Sequence, residues 1–162
     1  MAQEIHDTLA EANFERISYP AVINALDTRP STLKEVQQVL KDPNIYMIGL
    51  YGIDGVGKTT LLKELAQEVK KDGSFDVVVM AAEVTDSPDV ENIQGQLGHA
   101  LGLKFEEKTK EGRVEQLRQR IRKEQNILVI LDRIWAKLDF AEVGIPFGDE
   151  HRGCKLLLTS EY

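Results

Sequence analysis

Hydrophobic residues along this chain fall into two kinds of run. Four are apolar at nearly every position: Ile45-Tyr46-Met47-Ile48-Gly49-Leu50-Tyr51, Phe75 to Ala81, Ile127 to Leu131, and Lys155-Leu156-Leu157-Leu158-Thr159. They do not alternate, so a strand built from any of them offers neither face to water, the condition met by a parallel sheet with helices on both sides. The other kind has helical spacing. Leu61, Leu62, Leu65, Ala66 and Val69 make one stripe; Val90, Ile93, Leu97, Ala100 and Leu101 make a second, opened by Ser87-Pro88 as N-cap and first turn; Val114, Leu117 and Ile121 make a third and narrower one. Ahead of the first strand, Thr32-Leu33-Lys34-Glu35 has capping-box spacing, and Leu33, Val36 and Leu40 share a face until Asp42-Pro43 ends the helix. The order is helix, strand, helix, strand, two helices, strand, connection, strand, whose spacings suit right-handed crossovers in an open α/β layer structure. Residues 1–30 read as an arm or linker, because Pro20 and Pro30 interrupt the helical spacing of Ile5, Leu9 and Ala12. The folded unit is expected over residues 31–162.

Composition narrows the function. A chain of 162 residues, 42% of them hydrophobic, makes one domain of ordinary size. Asp plus Glu number 27 against 20 Lys plus Arg, a formal charge of −7, so the overall field repels nucleic-acid backbones and anionic membrane surfaces. No apolar run approaches the roughly 20 residues that span a bilayer, and Met1-Ala2-Gln3-Glu4 opens no secretory signal. A single cysteine, Cys154, fits a reducing, cytoplasmic setting and is expected as a small buried residue rather than a nucleophile. His6, His99 and His151 are scattered, with no spacing that suggests zinc. The charge-rich segment Lys104 to Glu124 is expected as a solvated loop and helix face.

Between the first strand and the first long helix stands Gly52-Ile53-Asp54-Gly55-Val56-Gly57-Lys58-Thr59, which satisfies G-x-x-x-x-G-K-[ST]. Gly52, Gly55 and Gly57 permit backbone angles and close approaches that side chains would block, so successive N–H groups, that of Val56 included, turn inward around phosphate oxygens. The helix start adds free N–H groups and a positive dipole end. Lys58 would place a point charge on the β- and γ-phosphates, Thr59 would ligate Mg2+ through its hydroxyl, and Thr60 would sit near the α-phosphate. A glycine-rich turn with no such role would match this pattern in about 0.5% of chains of this composition, fewer still with a strand before and a helix after. The expected fold is therefore a three-layer P-loop NTPase fold with a mainly parallel sheet flanked by helices, breaking off after the fourth recognisable strand. Ile127-Leu128-Val129-Ile130-Leu131-Asp132 supplies the partner site, an apolar strand ending in a carboxylate that would hold Mg2+ through water and is the candidate catalytic acid. No N-K-x-D string that would read guanine occurs, nor an L-S-G-G-Q-like signature of transporter ATPases.

Four strings taken together resemble successive motifs of plant disease-resistance proteins, the coiled-coil type with a nucleotide-binding (NB-ARC) domain and leucine-rich repeats. They are Gly49-Leu50-Tyr51 through Leu61, Phe75-Asp76-Val77-Val78-Val79, Ile127 through Asp132-Arg133-Ile134-Trp135, and Gly153-Cys154-Lys155 through Thr159-Ser160. The stretch Leu138-Asp139-Phe140 through Val143-Gly144-Ile145-Pro146-Phe147-Gly148 is similar to the same family. The likeness covers most of residues 25–162. It implies a nucleotide-operated switch of the signal-transduction ATPase group in innate immunity, resting with ADP and activated with ATP, with Mg2+ as the accompanying metal. Lys58, Thr59 and Asp132 match the family's phosphate and Mg2+ residues, Thr28-Arg29 falls where the family has an adenine-side loop, and Trp135 falls where it has an aromatic, expected to pack.

Two positions depart from that pattern. Arg133 stands where the family has a second Asp proposed to help activate water, and a cation cannot accept a proton. Glu161 stands where an arginine senses the γ-phosphate, and a carboxylate there repels it. The expectation is a site that binds ADP or ATP and is at most a slow ATPase. The chain also stops just after the fourth motif, so a complete switch is not expected from it. Two other readings stay open: an active P-loop ATPase or phosphotransferase, and an interaction fragment that pairs with full-length relatives or other immune-signalling proteins without nucleotide.

Overall fold

The computed structural model describes residues 21–24, 30–51, 58–82, 89–133 and 138–160. Five parallel strands form its sheet: β1 (Ala21–Asn24), β2 (Met47–Tyr51), β3 (Val77–Ala82), β4 (Ile127–Asp132) and β5 (Cys154–Ser160), in the order β1-β2-β5-β4-β3. The helices are α1 (Pro30–Leu40), α2 (Lys58–Lys71), α3 (Val90–Ala100), α4 (Lys110–Arg122) and the single turn α5 (Phe140–Val143).

Alternate residues of β2, β3, β4 and β5 feed two separate cores. Ile48, Leu50, Leu128, Ile130 and Leu157 pack with Val36 and Leu40 of α1 and with Leu61, Leu62, Leu65 and Val69 of α2. Met47, Val79, Val129, Leu131, Leu156 and Leu158 pack with Ile93 and Leu97 of α3, Leu117 and Ile121 of α4, and Phe140 of α5. This double burial is why β4 is buried at all six of its positions, as a strand with helices on both faces must be. No helix among the described residues is long and apolar enough to cross a membrane.

The four expected strands are present, and the differences lie at ends and edges. The stretch expected as an arm or linker contributes β1, which pairs with Ile48–Tyr51 of β2 along one edge. Helix α1 begins at Pro30, earlier than its capping-box pattern suggests; proline has no N–H to lose in a first turn and its fixed φ suits a helix start. Helix α3 is capped by Asp89, whose Oδ1 accepts from the Asn92 N–H at 3.1 Å. The expected cap, Ser87-Pro88, lies outside the described residues. Ala100, expected on the buried stripe of α3, is exposed, and Gln94 takes a core position instead. Burying that amide is tolerable because its Nε2 donates to the Val143 carbonyl at 2.8 Å, which holds α5 against α3. Lys155 ties the sheet to α1 in the same manner, its Nζ donating to the carbonyls of Leu40 at 2.6 Å and Asp42 at 2.7 Å.

Candidate functional site

In an open parallel sheet, ligands bind beyond the carboxyl ends of the strands, where neighbouring connections run to opposite faces. Here that point lies at β2, β5 and β4. The chain leaves β2 through α2, lying on one face, and returns at the far edge as β3. After β4 it passes through α5 on the other face and comes back as β5, inserted between β4 and β2. Tyr51 of β2 is in register with Ser160 of β5, and Leu131 of β4 with Leu158 of β5. The ends of three strands therefore stand side by side, with β2 and β4 separated by two ladder spacings, about 9.5 Å.

The glycine-rich string joins the end of β2 to the start of α2. Gly52, Gly55, Val56 and Gly57 lie outside the described residues, whereas the backbones of Lys58, Thr59 and Thr60 form the first turn of α2. Leu61, Leu62 and Leu65 follow immediately and are buried, so the start of this helix is anchored by its own apolar stripe. Trp135, Thr28, Arg29 and Glu161 also lie outside the described residues.

Asp132 ends β4 and is 5% exposed. Because a buried carboxylate is costly without compensation, its surroundings matter. Thr159 on the adjacent strand, 1% exposed, donates its hydroxyl to Asp132 Oδ1. The same hydroxyl accepts the N–H of Arg133 at 2.9 Å. Arg133 has φ 59°, a left-handed conformation that costs a side-chain-bearing residue about 1–2 kcal/mol. Its guanidinium Nε lies 4.0 Å from Asp132 Oδ2. One hydroxyl thus fixes the carboxylate and the following backbone turn together.

For a hard divalent cation, a buried carboxylate at a strand end is a donor of the right chemistry, since such ions take oxygen ligands. Of the two carboxylate oxygens, Oδ1 accepts from Thr159 and Oδ2 is faced by Arg133. No group of three or more His, Cys, Asp or Glu able to hold a metal occurs among the described residues. His99 is exposed, and His151 shares a hydrogen bond with the Glu124 carbonyl at 2.7 Å. Cys154 is fully buried, and burial pushes its thiol pKa far above the ordinary value, as befits an inert core residue.

Sequence reasoning reached Asp132 and the start of α2, and it missed the part played by Thr159. As a motif, the Thr159-Ser160 pair only ends the fourth string, one position before Glu161. The signal available was a hydroxyl at the end of an apolar strand, which needs a partner once buried, but nothing in the order of residues says which strand lies next to it. In the sequence Arg133 reads only as a missing acid, whereas the fold sets its guanidinium near Asp132 after a left-handed turn.

The family model for the NB-ARC domain matches residues 29–161. Among curated relatives in Arabidopsis thaliana, disease resistance protein RFL1 is 30% identical over 99% of this chain, and probable disease resistance protein At5g47260 is 37% identical over 75% of it. Disease resistance protein SUMM2 is 29% identical, again over 99%. The chain spans 19%, 12% and 19% of the length of these three relatives, respectively. With a parallel sheet whose strand ends meet where the glycine-rich string begins, and with the motifs in family order, this chain belongs to the NB-ARC family, the nucleotide-binding domain of plant disease-resistance proteins.

Proposed function

We propose that this chain binds ADP or ATP at the carboxyl ends of β2, β5 and β4, as the nucleotide-holding part of a disease-resistance switch, and turns it over slowly or not at all. In this reading residues 31–162 carry the binding unit. The main-chain N–H groups of Gly52, Gly55, Val56 and Gly57 surround the phosphates, Lys58 neutralises the β- and γ-phosphates, and Thr60 lies beside the α-phosphate. Thr59 and Asp132 are the residues that would hold Mg2+, which when bound neutralises phosphate charge. Slow turnover follows from Arg133, which cannot accept a proton from water in the place where a second carboxylate would.

The observation that carries this reading is the conjunction at the strand ends: a helix beginning at Lys58 directly after the glycine-rich string, and a buried carboxylate at the end of a strand two ladders away. A thermal-shift titration tests it. Nucleotide at 100 times its Kd should add about 2.7 kcal/mol to stability. ADP and ATP should raise the melting temperature of the wild-type chain, with GTP weaker and Lys58→Ala unresponsive. No shift with either adenine nucleotide, with or without Mg2+, refutes the reading. Sustained phosphate release abolished by Lys58→Ala refutes its slow-turnover part.

A further inference from the structure

We propose that Arg133 is a built-in counter-cation for Asp132, so that this site takes an adenine nucleoside triphosphate with little dependence on Mg2+. The inference rests on the nucleotide-binding part of the reading above and departs from its Mg2+ part, because the carboxylate that the motif offers to the metal is already faced by a cation of this chain.

Both oxygens of the Asp132 carboxylate face groups of this chain, one through a hydrogen bond and the other through a nearby charge. Thr159 donates to Oδ1, and the Arg133 guanidinium faces Oδ2 with Nε at 4.0 Å. The backbone of Arg133 is held at this turn, its N–H donating to the Thr159 hydroxyl at 2.9 Å while its φ of 59° turns the chain out of the strand. The guanidinium brings a positive charge of the chain's own to the carboxylate, so compensation needs no metal. A divalent cation drawn to the same carboxylate meets a like charge nearby, and it also meets a carboxylate whose attraction is already partly offset. The Arg133 side chain is 45% exposed, so solvent screens this repulsion and the effect belongs on the scale of tens rather than thousands in affinity.

The test is calorimetric titration of the whole chain with the non-hydrolysable triphosphate analogue AMP-PNP, in excess Mg2+ and in EDTA. The two Kd values should differ by less than about threefold for the wild type and by at least about tenfold for Arg133→Asn, with Mg2+ tightening binding in the variant. Asparagine tolerates the left-handed backbone, so the turn is kept while the charge is lost. Arg133→Lys, which retains the charge, should behave as the wild type does. A second readout uses Mn2+ in place of Mg2+: electron paramagnetic resonance should show the Arg133→Asn complex retaining more bound Mn2+ per nucleotide than the wild-type complex.

A wild-type ratio of tenfold or more overturns the proposal by itself, whether or not the variant folds. Equal ratios in wild type and Arg133→Asn overturn it too. If AMP-PNP binds strongly only with Mg2+ and Lys58→Ala abolishes binding, the nucleotide-binding reading stands and the Arg133 role falls. If the wild type binds no nucleotide under either condition, both fall.

Discussion

Replacing Thr159 with valine exchanges a hydroxyl for a methyl group of nearly the same size at a position 1% exposed to solvent. The shape survives and two hydrogen bonds do not. One is the donation to the buried Asp132 carboxylate, the other the acceptance of the Arg133 N–H at 2.9 Å. A hydrogen bond to a charged group contributes about 1.5–3 kcal/mol, and a neutral one about 1 kcal/mol. Both partners of Thr159 are left short of a donor or acceptor where water has poor access, so the expected loss is about 3 kcal/mol. For a chain of this size that lowers the melting temperature by about 6–12 °C. Taking a urea dependence of about 2 kcal/mol/M, the unfolding midpoint should fall by about 1.5 M. Thr159→Ser is the control, since it keeps the hydroxyl and gives up only a methyl group, at about 1 kcal/mol. Unfolding followed by circular dichroism measures all three chains. A valine variant within about 0.5 kcal/mol of the wild type, or a serine variant as unstable as the valine one, would refute this role of the hydroxyl.

Other positions give expectations of different sign. A Cβ on Gly153 would lie 1.7 Å from the Gln125 carbonyl oxygen, a main-chain atom beside the turn into β4, so Gly153→Ala should cost at least about 3 kcal/mol in urea unfolding. Gly95, on an exposed part of α3, has nothing within 4 Å of such a Cβ, and Gly95→Ala should raise stability by about 0.5–1 kcal/mol in the same assay. Lys155→Met keeps the apolar stem and removes the two donations to the Leu40 and Asp42 carbonyls; at pH 7 it should cost about 2 kcal/mol. Burial raises the Cys154 thiol pKa in the folded chain. The unfolded chain therefore loses this proton first, and the wild type loses stability relative to Cys154→Ala as pH rises above the unfolded thiol's value of about 8.5. The difference between the two chains should be flat from pH 6 to 8 and then grow by up to about 1.4 kcal/mol per pH unit. A thiol reagent should reach Cys154 only as fast as the chain unfolds.

The four long strands were legible because a strand covered on both faces must be apolar at nearly every position, and runs such as Ile127 to Leu131 leave no other comfortable reading. The helices on either side were legible for the same reason in a different period, with Leu61, Leu62, Leu65 and Val69 all buried where their spacing puts them. β1 was not legible. Four residues close behind Pro20 carry too little pattern, and an edge strand owes its form to the neighbour that supplies its hydrogen bonds. The glycine-rich string and the position of Asp132 announce themselves because their chemistry depends on residue types at fixed local spacings.

Local spacing carries no information about strand order. β5 slides between β2 and β4, and that insertion sets Thr159 against Asp132, its partner 27 residues earlier in the chain. The same hydroxyl then captures the N–H of Arg133, whose left-handed turn brings a guanidinium to the free side of the carboxylate. Chain order alone thus marks out a strand, a phosphate-binding string and an acid, since each is written within a few neighbouring residues. How that acid is held, and which cation answers its charge, follows from contacts between segments that meet only when the sheet closes around β5.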